Sequence, residues 1–244
     1  MDHNPSPNFE KETIEKGSES AKKRENPLLN LGFNLIIPTV IMMKFSGDQH
    51  LGQVYGLVTA LAFPLLYGLY DLLGAGKVNV FSLLGLLSIL LTGGIGLMEV
   101  DKTWMIVKET GFPLVLGCFV FISEKTQKPL IRQILDQVID LEKIQEVYNE
   151  NGIGGRFKER MRKSTYLLGS TFFISALLNF LLAYTILEGQ PGSEEFVASL
   201  GKMTGLSFPV IALPMMIMVG FILFNLFNGI KKETNAEIET FFRQ

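Results

Sequence analysis

The chain is short of the residues that most often carry chemistry. It has one cysteine, Cys118, and two histidines, His3 and His50. A single thiol excludes an intramolecular disulfide and leaves the redox compartment unread; within an apolar run, a packed thiol is expected. The histidines fall in a polar tail and a loop, without cysteine or histidine partners at metal-ligand spacing, so no metal site is expected. The apolar runs hold no Ser–His pair, no paired aspartates and no metal box, so no catalytic residues and no cofactor are expected, and an intramembrane enzyme is the last of the readings. Charge is also scarce, at 19% of residues against 48% hydrophobic. That balance excludes an ordinary soluble domain. No cleavable signal peptide is expected, because the N-terminal stretch is polar and no small-residue cleavage site follows the first apolar run.

What the chain does have is apolar runs of membrane-crossing length. Roughly 20 residues of helix at about 1.5 Å each match a hydrocarbon core of about 30 Å. The expected fold is an all-α integral membrane protein, a six-transmembrane-helix bundle with a cytoplasmic amphipathic helix between spans 4 and 5. Residues 1–25 read as a disordered tail, polar and rich in Lys, Glu and Ser. The membrane domain is expected over 26–230, with spans about 27–45, 53–73, 80–98, 104–123, 165–187 and 206–229. Residues 231–244 form a short polar tail.

The fourth run, from Trp104 to Ser123, holds Lys108 and Glu109. Without them its apolar part, Gly111 to Ile122, is too short to cross. The two charges therefore lie inside the membrane boundary, where an ionisable residue is a functional-site hypothesis by default. The plainer alternative is a snorkelling lysine and a glutamate paired with a neighbouring span. Adjacent residues sit about 100° apart on a helix. A partner for Lys108 is therefore expected in Glu99, Asp101 or an anionic headgroup rather than in Glu109.

Other polar residues recur at helical spacing. Asn30, Asn34 and Pro38 share one face of the first span, and Thr171, Ser175 and Asn179 share one face of the fifth. Both faces are expected to point into the bundle, as interhelical hydrogen bonds or as a substrate path reaching Lys108 and Glu109. Asp71, at the end of the second span, is expected to be solvated or paired with Lys77. Thr92, Gly93, Gly94 and Gly96 form a small-residue patch suited to close helix packing. Pro38, Pro64, Pro113, Pro209 and Pro214 fall inside spans, where each is expected to break or loosen its helix and free a carbonyl. Loosened helices near charges are where transporters place their sites.

Residues 124–163 form the long loop. From Pro129, a helix to about residue 149 is expected, with Ile131, Ile134, Val138, Leu141, Ile144 and Tyr148 on one face, lying on the membrane or packing under the bundle. Arg156, Lys158, Arg160, Arg162 and Lys163 follow, an expected contact for anionic lipid; nucleic acid is not an expected partner. Of the 22 Lys and Arg, 18 fall in the two tails, the Lys77 turn and this loop, against three in the alternate loops. That bias places both termini in the cytoplasm.

Gly93-Gly94, Asp101, Trp104, Lys108 and Lys128-Pro129-Leu130-Ile131 resemble the bacterial intracellular septation protein A (YciB) family. The stretches NPLLNLGFNLIIP, FPLLYGLYD and LLTGGIGL more closely resemble a sister group of six-span bacterial membrane proteins, sometimes labelled transporter-like. The resemblance covers about residues 26 to 230, and the septation relatives lack the long amphipathic loop. It implies a multi-pass protein of the bacterial inner (plasma) membrane linked to envelope synthesis or integrity, with no catalytic residues. Two functions follow as expectations. One is a transporter, or a translocator of lipid or small molecules, linked to cell-envelope maintenance. The other is a non-transporting scaffold of the envelope or septation machinery. Partners would be membrane lipids, envelope-synthesis membrane proteins or a second copy of the chain.

Overall fold

The computed structural model describes residues 31–74, 80–98, 101–126 and 129–243. Eight helices and a closing 3-10 turn, Ile238–Phe241, make up the described residues: α1 Gly32–Lys44, α2 Gly52–Gly74, α3 Val80–Leu97, α4 Thr103–Ser123, α5 Leu130–Leu135, α6 Leu141–Glu150, α7 Gly154–Ile186 and α8 Glu194–Thr234. Four of them, α2, α4, α7 and α8, are long and apolar enough to cross a membrane, while α1 and the Leu87–Leu97 part of α3 are apolar but shorter. Helix is what such sequences must form in lipid, where a backbone N–H or C=O finds no solvent partner and has to be satisfied within its own segment.

The bundle wears its apolar residues outside. Only 17% of the most apolar stretch of α8 and 28% of that of α7 are buried, and Phe221, Phe224, Ile217, Val115 and Ile122 are exposed. A continuous apolar surface of this size fits hydrocarbon as solvent rather than water. Aromatic residues mark both ends: Trp104 and Tyr55 are exposed at the start of α4 and α2, Tyr166 and Tyr70 toward the opposite end. Cys118 is exposed on α4, not packed as expected.

Two cores hold the fold. The first lies toward the Trp104 end and joins Met42, Leu57, Met105, Leu182, Phe196 and Leu200. Here α8 lies close on α1, because Gly201 and Gly205 are one turn apart and a Cβ on either would press on Met42 or Thr39. The second lies at the basic end, where Ile131, Ile139, Leu141, Ile144, Tyr148 and Phe157 meet Leu226, Ile230 and Phe241.

Several expected boundaries move. The sixth apolar helix begins at Glu194, inside what reads as a loop. Ser193 caps it by accepting from the Phe196 N–H at 3.1 Å, and Glu194 and Glu195 complement the positive end of the helix dipole. The fifth begins at Gly154, so the basic run Arg156–Lys163 forms its first turns rather than a loop. The expected helix over 129–149 is two helices, separated at residues 136–140. Asp140 takes the cap of the second, accepting from Lys143 N–H at 3.0 Å. This break turns Ile134 and Val138 outward and buries Leu135 and Ile139 instead.

The prolines do not break their helices. Pro64 and Pro113 sit within continuous α-helix. Near Pro38 and Pro209 the backbone widens into π-turns, Gly32–Ile36 and Phe208–Ala212, with Pro214 just past the second. A widened turn re-satisfies the backbone locally, which a full break in lipid does not.

The C-terminal segment is folded, not a free tail. Asn235, with φ of 53°, ends α8, and the chain doubles back onto the α5–α6 connection. Asp140 N–H donates to Phe241 O at 2.8 Å and Arg243 N–H to Val138 O at 3.0 Å. Arg243 also pairs with Asp136 at 2.8 Å. Phe241, 2% exposed, is the anchor. Phe241→Ala is expected to cost about 3–5 kcal/mol, as for a buried aromatic, and to expose the peptide after Asn235. Limited proteolysis in detergent should show faster loss of the C-terminal segment, and an unchanged rate would contradict the docking.

Candidate functional site

The site is built where α1, α2, α3, α4 and α8 meet. They enclose a cavity of about 490 Å³ lined by Asn34, Pro38, Pro64, Thr92, Lys108, Glu109, Phe112, Thr204 and Ser207, among others. A second, more open cleft, also about 490 Å³, lies between α1, α4, α7 and α8 and is lined by Asn34, Glu109, Ser175, Asn179, Ser207 and Phe208. Asn34, Glu109 and Ser207 border both. Both π-turns lie against this junction: Asn34 belongs to the first, and Ser207 immediately precedes the second. Widened turns of this kind recur at functional sites, because they re-aim side chains and loosen the local hydrogen-bond ladder.

The charges are held by each other. Lys108 Nζ lies 2.7 Å from Glu109 Oε1 and donates also to Thr92 Oγ1 at 2.7 Å. The two side chains are 11% and 21% exposed. Among the described residues Lys108 pairs with Glu109, where Glu99, Asp101 or an anionic headgroup is the expected partner. Glu99 lies outside the described residues, and Asp101 instead accepts from the Thr103 N–H at 2.7 Å. Hydrogen bonding to the Thr103 side chain, and then to its N–H, lowers the Asp101 carboxyl below its ordinary value. The 100° between neighbouring Cβ atoms is overcome by the lysine's four-carbon stem, which carries the ammonium round the helix to the carboxylate. Thr92 passes the interaction on, donating to Ser88 O at 2.9 Å.

The polar stripes are partly spent on their own helices. Asn179 Nδ2 donates to Ser175 O at 2.8 Å, and Thr171 donates to Leu168 O at 2.7 Å. Even so, Asn34 and Asn179 line one cavity with Glu109. Asn30 lies outside the described residues. Asp71 falls in the last turn of α2, about two turns beyond Pro64, which lines the cavity. A reading of the sequence passes over Thr204 and Ser207, and takes Thr92 only as part of a small-residue packing patch. Thr204 and Ser207 form a polar i, i+3 pair beside Phe208-Pro209, a signal hidden by placing residue 204 in a loop.

At the basic end, Arg156, Lys158, Arg162 and Lys163 are exposed, but Arg160 turns inward. Its guanidinium pairs with Glu233 at 2.6 Å, and Tyr148 OH donates to the same carboxylate at 2.8 Å. Burial, then the bond to Glu233, pushes the Tyr148 phenol well above its ordinary range. The absent side chain of Gly229, one turn before Glu233, leaves the space the guanidinium fills. Arg160 thus ties α6, α7 and α8 together, while the other four remain available to headgroups. The described residues hold no group of three or more His, Cys, Asp or Glu able to bind a metal.

Together these features define a class: an all-helical protein with four helices long and apolar enough to cross a membrane, and, where α1, α2, α3, α4 and α8 meet, a largely apolar cavity bordered by one ion pair. Beyond that class, comparison with protein-family models, curated proteins and solved structures returns no match.

The pair makes a stability prediction. Lys108→Met strands a carboxylate that must then take up a proton, and it is expected to cost about 1–3 kcal/mol, less than for a fully buried pair. Lys108→Met with Glu109→Leu removes both charges and should recover most of that loss. Thermal unfolding in detergent reads both, and a single variant as stable as the parent would show the pair to be incidental.

Proposed function

We propose that this is a six-span inner-membrane protein, with both termini cytoplasmic, that translocates a small polar molecule or a lipid headgroup in support of the cell envelope. The observation that carries this reading is the cavity reaching Lys108 and Glu109. A bundle serving only as a scaffold has no need to keep an ion pair and about 490 Å³ of space inside the membrane. The ion pair is neutral overall, which suits a substrate that is itself uncharged or zwitterionic; a singly charged one would have to displace one partner. The two π-turns and Pro38, Pro209 and Pro214 offer the places where α1 and α8 flex to pass a substrate from one cavity to the other across Glu109. The bias of Lys and Arg supports the orientation, and the resemblance to the septation protein A family supports the envelope link.

The test is transport by the purified full chain in liposomes, measured for fluorescent lipids and for small zwitterionic solutes. Translocation is expected in the parent. In the stable Lys108→Met/Glu109→Leu variant the rate is expected to fall at least tenfold, as for loss of one charged contact or more. A parent that moves neither class of solute, or a double variant with full rates, would sink the reading. A reporter fused after Gln244 should be cytoplasmic, and external exposure would reverse the orientation.

A further inference from the structure

A third cavity, of about 550 Å³, opens at the basic end between the end of α4, α5, α6 and α7. Its charged lining comes from three separate elements: Lys125 just past α4, Arg132 on α5 and Lys158 on α7. None of these three has an ion pair among the described residues. The contrast with their neighbours is informative. Arg160 is paired with Glu233, Arg243 with Asp136 and Lys231 with Glu237, and Lys143 donates to Thr240 O at 3.1 Å. Other cations at this end, Arg156, Arg162 and Lys163, also have no ion pair among the described residues, but they do not line this cavity; Lys125, Arg132 and Lys158 are gathered around its single space. The one acidic residue in the lining, Glu124, has its Oε2 buried without a hydrogen-bond partner among the described residues. The described lining therefore carries a net charge of +2.

The position of the cavity narrows its occupant. Lys158 lies in the charged first turns of α7, and Thr165, in the same wall, begins that helix's apolar stretch. The cavity thus straddles the level at which a bilayer's phosphates sit, with Phe157 and Met161 as an apolar side toward the bundle. Lysine and arginine side chains together offer the point charges and the forked donors that bind phosphate oxygens. A phosphodiester carries one negative charge, whereas a phosphomonoester carries close to two near neutral pH. We propose that this cavity binds a phosphomonoester, supplied by the headgroup of a membrane lipid. It stands apart from the Lys108–Glu109 site and does not depend on the proposed transport.

The experiment uses the full chain in neutral detergent, with binding read from the shift in unfolding temperature on titration. The probes are phosphatidic acid, a monoester lipid; phosphatidylglycerol, a diester lipid; and glycerol 3-phosphate, a soluble monoester. Phosphatidic acid is expected to bind about tenfold more tightly than phosphatidylglycerol, the worth of one further charge-assisted contact. Arg132→Gln with Lys158→Gln should weaken it at least tenfold, while Arg162→Gln with Lys163→Gln, on the exposed face outside the cavity, should not. These side chains are exposed, so the lipid-free unfolding temperature is expected to stay put. Lys158→Arg, which keeps the charge, should retain binding and guards against a folding artefact. Equal affinity for the two lipids, or equal loss in the Arg162/Lys163 variant, would mean a diffuse basic surface and overturn the proposal. Glycerol 3-phosphate binding as tightly as phosphatidic acid would keep the phosphomonoester chemistry but overturn the lipid as its source.

Discussion

A helix bundle that shows its apolar side to its surroundings gains little by bringing its helices together, because hydrocarbon outside is as good a neighbour as leucine inside. Close fit and a few polar contacts then have to hold the helices, and the apolar part of this structure follows that constraint. α8 can lie against α1 because Gly201 and Gly205 present no side chain to Met42 and Thr39. Polar side chains mostly spend their hydrogen bonds on their own helix, as Asn179 does on Ser175 and Thr204 on Leu200. Cross-helix polar links are few, and Lys108 to Thr92 is one of them.

The same constraint gives the Lys108–Glu109 pair its meaning. Neither charge can be left alone in a medium of low dielectric, so each neutralises the other within one helix turn. Such a pair needs no third element to keep it satisfied. The surrounding space is thereby freed of an obligatory partner, and it remains a cavity bordered by two π-turns rather than a packed seam.

The basic end obeys different physics. There Ile139, Leu141, Ile144, Tyr148, Phe157 and Phe241 build a buried apolar core of the kind found in soluble domains. Its ion pairs lock elements that are far apart in the chain: Arg160 to Glu233, and Arg243 to Asp136. The C-terminal segment completes this small domain, so the two ends of the α5–α8 region close on each other below the bundle.

Hydropathy and helical period are local properties, and they suffice for what is local here. A run such as Trp104–Ser123 has to be a helix in lipid because its backbone has no other partner, and residues four apart, Thr171, Ser175 and Asn179, have to share a face. The sequence by itself therefore determined the helical class and the presence of membrane-length helices, and marked Asn34, Asn179, Lys108 and Glu109 as polar groups within them. Only the tertiary structure decided how those groups are used. Lys108 turns to Glu109 and to Thr92, which the fold sets beside it. α8 reaches back to Glu194, well before its hydropathy rises, because a Ser193 cap and packing of Phe196 and Leu200 stabilise turns that composition alone leaves open. The amphipathic helix breaks at residues 136–140, where Phe241 and Arg243, about a hundred residues away, supply backbone partners. Partners distant in sequence leave no trace in a local pattern, and it is their approach in space that settles which hydrogen bonds and charges are satisfied.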